Sequence, residues 1–125
     1  MIDHLSIQCH DLSASAAFYD AVLATIGGRR LIDRGSPIGY GVDFPTFWLG
    51  TLETGDVNRE VHIAFTARSR DSVRMFRDVA LALGAELLHD ARVWPEYHDG
   101  YYGVFLRDPD GNNIEAVHHT FVQHG

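Results

Sequence analysis

A chain of 125 residues with 46% hydrophobic side chains has the size and composition of one globular domain that builds its own core, and not of a disordered or two-domain protein. Seventeen acidic side chains against ten basic ones leave a net charge of -7, and no cluster of arginines offsets it, which argues against a nucleic-acid partner. Cys9 stands alone, so the fold uses no internal disulfide; no secretory leader and no run of ~20 apolar residues is visible, so a cytoplasmic protein off the membrane is expected.

Residues 2–9 alternate, with Leu5, Ile7 and Cys9 on one face and His4, Ser6 and Gln8 on the other, which is the period of a half-buried strand. A helix follows, capped by Asp11 or Ser13 and stopped at Gly27-Gly28; Phe18, Val22 and Ile26 form its apolar stripe. Three short strands are predicted near 29–33, 38–43 and 46–53. The pattern then starts again. Residues 60–66 alternate with Val61, Ile63 and Phe65 on one face and His62 on the other; Ser69 caps a second helix whose Val73, Phe76, Ala80 and Leu83 share a side, and Gly84 closes it. Strands near 85–89, 101–107 and 112–118 complete this half, the last two joined by a tight turn at Asp108-Pro109-Asp110-Gly111. Between them, residues 91–100 form the longest irregular stretch, a place where compact domains often shape a binding site.

The two halves are in register. An offset of fifty-eight carries His4 onto His62 and Phe18 onto Phe76, so the chain reads as an internal repeat of strand, helix and three strands. The expected fold is α+β: two βαβββ modules, about 1–57 and 58–120, related by pseudo-twofold symmetry within a single domain and followed by a short C-terminal tail. In the last strand Glu115 is the only carboxylate, set between apolar neighbours. Two imidazoles at matching positions and one terminal-strand carboxylate are a set that binds a divalent ion and leaves positions open for substrate.

Three stretches resemble the glyoxalase/bleomycin resistance/dioxygenase superfamily, the vicinal oxygen chelate (VOC) proteins: Asp3-His4-Leu5-Ser6-Ile7 leading to Phe18-Tyr19 and Leu23; Val61-His62-Ile63-Ala64-Phe65; and Arg107-Asp108-Pro109-Asp110-Gly111-Asn112-Asn113-Ile114-Glu115. The resemblance covers essentially the whole chain. It implies strands curled into an open cup with helices outside, one divalent metal ion (zinc, iron, manganese, nickel or cobalt) on His4, His62 and Glu115, and a homodimer. It also implies a small substrate with vicinal oxygens, in lyase- or isomerase-like chemistry through an enolate or oxyanion. An extradiol-type iron dioxygenase and a metal-free protein of the bleomycin-resistance kind are the alternatives. One departure concerns the glyoxalase I enzymes, which carry a further glutamate in the fourth strand of the first module; Thr46-Phe47-Trp48-Leu49-Gly50 has no acid there, so that reaction is not assigned.

His98 and Tyr102 are the candidate catalytic residues, for proton transfer or oxyanion stabilisation; one of Tyr101 and Tyr102 must face inward, and Tyr102 is favoured. Arg107 is expected to serve the turn carboxylates, Phe44, Phe47 and Trp48 to line the cup, and His118, His119 and His124 to lie in an exposed tail. His10 and His89 receive no role.

Overall fold

A computed structural model describes residues 1–55 and 58–121. Its elements run β1 (Leu5–Cys9), α1 (Leu12–Ala24), β2 (Arg29–Asp33), β3 (Ile38–Gly41), β4 (Pro45–Thr51), β5 (His62–Thr66), α2 (Arg70–Ala82), β6 (Leu87–Val93), β7 (Tyr101–Arg107) and β8 (Asn113–His119). The expected two βαβββ modules are present. Each folds into its own four-stranded mixed sheet, ordered β1-β4-β3-β2 and β5-β8-β7-β6, in which only β1–β4 and β5–β8 are parallel. No helix among the described residues is long and apolar enough to cross a membrane.

Both helices begin and end by the same local chemistry. Of the two candidate caps for α1, Asp11 takes the role by accepting the Ala14 amide; Ser69 does the same for α2 by accepting from Ser72. At the far ends, Gly28 N–H returns to Leu23 O and Ala85 N–H to Ala80 O, across Gly27 and Gly84, whose φ values of 86° and 83° favour glycine. Leu83, expected on the buried side of α2, is the C-cap instead and is half exposed, because the helix stops one residue short of bringing it round. Strand β6 runs on to Val93 and so absorbs the first residues of the expected loop, and β8 runs on through His118 and His119.

The core lies between helices and sheets. Phe18, Val22 and Ile26 are buried as expected, along with Val73, Phe76 and Ala80 of α2 and the helix-facing Val104, Leu106, Ile114 and Ala116. The rings of Tyr19, Phe47 and Phe65 pack in sequence, tilted and then edge-on, with centroids 4.9 and 5.2 Å apart, and carry this core across the module boundary. At roughly 1.5–3 kcal/mol per large apolar side chain, such burial is the main force holding the modules together.

A polar contact then sets their relationship. The Tyr19 hydroxyl of α1 donates to Asp108 at 2.6 Å, and Asp110 accepts from the His10 amide and the Ser15 hydroxyl. Asp108 is buried and also accepts from the Asp110 amide and from the backbone and side chain of Asn112. The Asp-Pro-Asp-Gly turn therefore does more than reverse the chain; it fastens the second module's hairpin to the first module's helix. Arg107 serves neither aspartate. It pairs with Glu60 and Glu86 and donates to the Gly111 carbonyl.

Cys9, at the end of β1, is buried in this core, and desolvation pushes its thiol up to about 11 from 9.0. A group held protonated by the fold contributes stability that is complete below the unfolded value and is lost as pH rises through the folded one. The native protein is expected to leave Cys9 unreacted with a thiol-specific disulfide reagent at pH 8, to show one thiol in denaturant, and to lose stability between pH 9 and 11. Prompt native labelling at pH 8 would contradict this placement.

Candidate functional site

Strand register decides which side chains share a face with Glu115. In the second sheet Ala64 and Glu115 are partners across β5–β8, and Phe105 and Glu115 across β7–β8. By alternation His62 on β5 and Tyr101, Gly103 and Phe105 on β7 fall on the same face as Glu115, whereas Tyr102 and Val104 turn towards α2. Side-chain contacts agree. His62 Nε2 lies 2.8 Å from Glu115 Oε1, and the Tyr101 hydroxyl donates to Glu115 Oε2.

Tyr102, the favoured candidate from sequence, is thereby corrected. It lies beneath α2, with the Arg70 and Arg74 guanidinium groups 5.1 and 5.6 Å from its ring and Arg74 donating to its hydroxyl. Tyr101 takes the inward place. Burial, together with the neighbouring Glu115 carboxylate, holds the Tyr101 hydroxyl well above the ordinary phenol range, so it remains a donor at neutral pH.

Glu115 is only 1% exposed although it lies on the helix-free face. The stretch after β6 folds back to cover it. Trp94 donates from its indole to the Gly103 carbonyl at 3.0 Å, and its ring packs against Phe105, His89 and Tyr97. Tyr97 in turn leans on Tyr101. Gly103 fits closely beneath this cover: a Cβ there would sit 3.1 Å from Glu115 Oε2 and 3.2 Å from the Tyr101 ring, which would have to give by a few tenths of an ångström. A polar centre of one carboxylate, one imidazole and one phenol therefore lies among aromatic walls, a usual make-up for a small-molecule site.

His98 stands beside this centre rather than in it. Gly100 N–H donates to His98 Nδ1, so the proton sits on Nε2, which donates to His119 Nδ1 at 2.9 Å. The two imidazoles stack, and both meet the edge of the Tyr101 ring. His119 is thus a half-buried strand residue and not part of an exposed tail; His118, with Nδ1 3.1 Å from the Ala67 carbonyl, is likewise anchored. His124 lies outside the described residues.

His4 is elsewhere. It precedes β1 in the first sheet, exposed, with Nδ1 2.7 Å from Asp3 Oδ1, and lines a cavity of about 260 Å³ with Ser6, Pro37 and Trp48. Among the described residues, no three His, Cys, Asp or Glu side chains are grouped so as to hold a metal ion. The imidazoles of His4 and His62 do not meet within one chain because β1 and β5 are edge strands of two sheets that share no ladder. Matching register also identifies the counterpart of Glu115. Ser6 pairs with Trp48 as Ala64 pairs with Glu115, and Ser6 and Ala64 are equivalent under the repeat, so Trp48 occupies in the first sheet the position of Glu115 in the second.

Paired βαβββ modules with helices on one side and a polar cluster on the helix-free face define the VOC class of fold. The model of the glyoxalase-like domain family matches residues 4–117, and the chain belongs to that family. Among solved structures, the chain is similar to a glyoxalase/bleomycin resistance protein from Albidiferax ferrireducens T118, with 28% identity, a TM-score of 0.79 and coverage of 94% of this chain and 97% of the other. It also resembles a lactoylglutathione lyase from Agrobacterium tumefaciens (24% identity, TM-score 0.69, coverage 94% and 92%). A glyoxalase/bleomycin resistance protein/dioxygenase family enzyme from Burkholderia phytofirmans PsJN matches at 20% identity and a TM-score of 0.72, with coverage of 95% and 98%. These last two likenesses concern the fold. A comparison with curated proteins gives no match.

Proposed function

We propose that this protein is a metal-dependent enzyme, lyase- or isomerase-like, acting on a small organic molecule with two adjacent oxygens. In this reading it works as a homodimer, and each ion is held by His62 and Glu115 of one copy and His4 of the other. The observation that carries the proposal is Glu115, a carboxylate at 1% exposure whose side-chain partners are one imidazole and one phenol. Burying a carboxylate is costly unless it is paired and hydrogen-bonded, and here the pairing group is an imidazole that can also serve as a metal ligand.

In kind, the donors fit a divalent ion: an imidazole nitrogen and a carboxylate oxygen face one another from neighbouring strands. In number, one chain falls short, and the exposed His4 supports completion by a second copy. A bound ion would supply charge stabilisation for an oxyanion developing on the substrate. The chain's own groups do the remaining work. Tyr101 donates to Glu115 Oε2 and so orients the carboxylate, leaving Oε1 turned towards His62. Trp94 packs on Phe105, the strand partner of Glu115, while the His62 side chain stays open to solvent, and the His98–His119 hydrogen bond ties the covering segment to the end of β8. The reaction of the lactoylglutathione lyase is not carried over, because Trp48 stands where a second module-related acid would be.

One observation favours a second reading, metal-free sequestration of a small molecule. His62, Glu115 and Tyr101 satisfy one another, within aromatic walls suited to binding. Metal analysis of the purified protein separates the two. About one ion per chain is expected in the wild type, with most of it lost in Glu115→Gln and retained in His98→Ala. Equal metal in wild type and Glu115→Gln, or none in either, sinks the enzyme reading as stated.

A further inference from the structure

We propose that Trp48 is the specificity-determining residue of this site, selecting substrates in which a flat unsaturated ring adjoins the two oxygens; this rests on the reading given above. Three features of the first sheet carry the inference. The first is position: Trp48 is the register equivalent of Glu115, so the place that bears the acid in one sheet bears an indole in the other. The second is seating. Gly39 lies across from Trp48 on β3, and a Cβ at Gly39 would be 2.8 Å from indole Cζ3, so the ring lies directly over bare backbone. Any larger residue at 39 would push the indole off the sheet.

The third feature is what the free side of the ring faces. Trp48 is half-buried and forms one wall of the cavity that also contains His4, Ser6 and Pro37. His4 is the residue assigned above to complete the ion's donors, so a group resting on the indole lies in the same cavity as the imidazole. A rigid aromatic wall held by its backing rewards flat partners, because an indole and a second ring attract beyond the area they cover. A cationic group is also attracted to an indole face, and a benzylamine probe distinguishes that case.

The test uses two probes with the same adjacent oxygens and different rings: mandelate, with a phenyl group, and hexahydromandelate, with a cyclohexyl group. Binding to the purified protein is followed by calorimetry, as isolated and after treatment with a chelator, for wild type, Trp48→Phe and Trp48→Leu. The wild type is expected to prefer mandelate about fivefold or more, Trp48→Phe to keep most of that preference, and Trp48→Leu to lose it at unchanged metal content. A preference that survives in Trp48→Leu overturns the proposal, as does a wild type that binds neither probe or binds both equally. Tighter binding of benzylamine than of mandelate, lost in Trp48→Leu, overturns it in favour of a cation site. A wild type that holds no metal and still shows a Trp48-dependent ring preference removes the metal reading and supports this one.

Discussion

Mixing His4→Ala protein with His62→Ala protein, under conditions that let subunits exchange, is expected to restore metal sites that neither variant has alone. Each variant by itself damages both sites of its dimer. In a mixed pair, one site collects both substitutions and the other collects neither, so random exchange should recover about a quarter of the wild-type metal content for a twofold assembly. The expectation follows from the separation of the two sheets, which puts His4 on one and the His62–Glu115 pair on the other. Metal content that stays at the background of the parents would show that a second copy does not complete the site.

Asp108→Ala is expected to be the most damaging single change outside the site. The carboxylate is buried and accepts from the Tyr19 hydroxyl, the Asp110 amide and both donors of Asn112. Removing it leaves several buried donors unpaired at once, for which about 3–5 kcal/mol of stability should be lost. Tyr19→Phe removes one of those bonds while keeping the aromatic stack on Phe47, and about 1–2 kcal/mol is expected. Urea denaturation of the three proteins measures both. An Asp108→Ala variant within 1 kcal/mol of wild type would mean that the hairpin is held by packing alone.

The fold was legible because it is written twice. The fifty-eight-residue offset carried one helix cap and one strand pattern onto another, and one glycine stop with a slip of one, and each of those local signals reappeared in the structure. The tyrosine was misread for a reason that is itself physical. A five-residue connection, 108–112, places Arg107 opposite Asn113, and counting back in pairs puts Phe105 opposite Glu115 and Tyr101 on the same face. The four-residue turn expected from sequence would have paired residue 107 with 112 and put Tyr102 on the face of Glu115; the extra residue in the connection reverses that parity. The place of His4 was not available. Matching positions in a repeat establish equivalence between halves, not contact between them, and whether two equivalent strands join one sheet depends on long-range packing that no local period encodes. His89, Trp94 and His119 were given no part in the site for a similar reason. Their rings gather only when the segment after β6 folds over the sheet, and nothing near them in the chain dictates that direction.

The fastening of Asp108 and Asp110 to α1 has a consequence for assembly. A molecule that carries two unlike halves of a binding centre, each seeking its opposite on another molecule, can close into a ring of two or add units without end. The tilt between its halves decides which, and in this chain the hydrogen bonds of Asp108 and Asp110 tie those halves together. With a site shared between copies as proposed, weakening that tie is expected to turn closed pairs into open fibres.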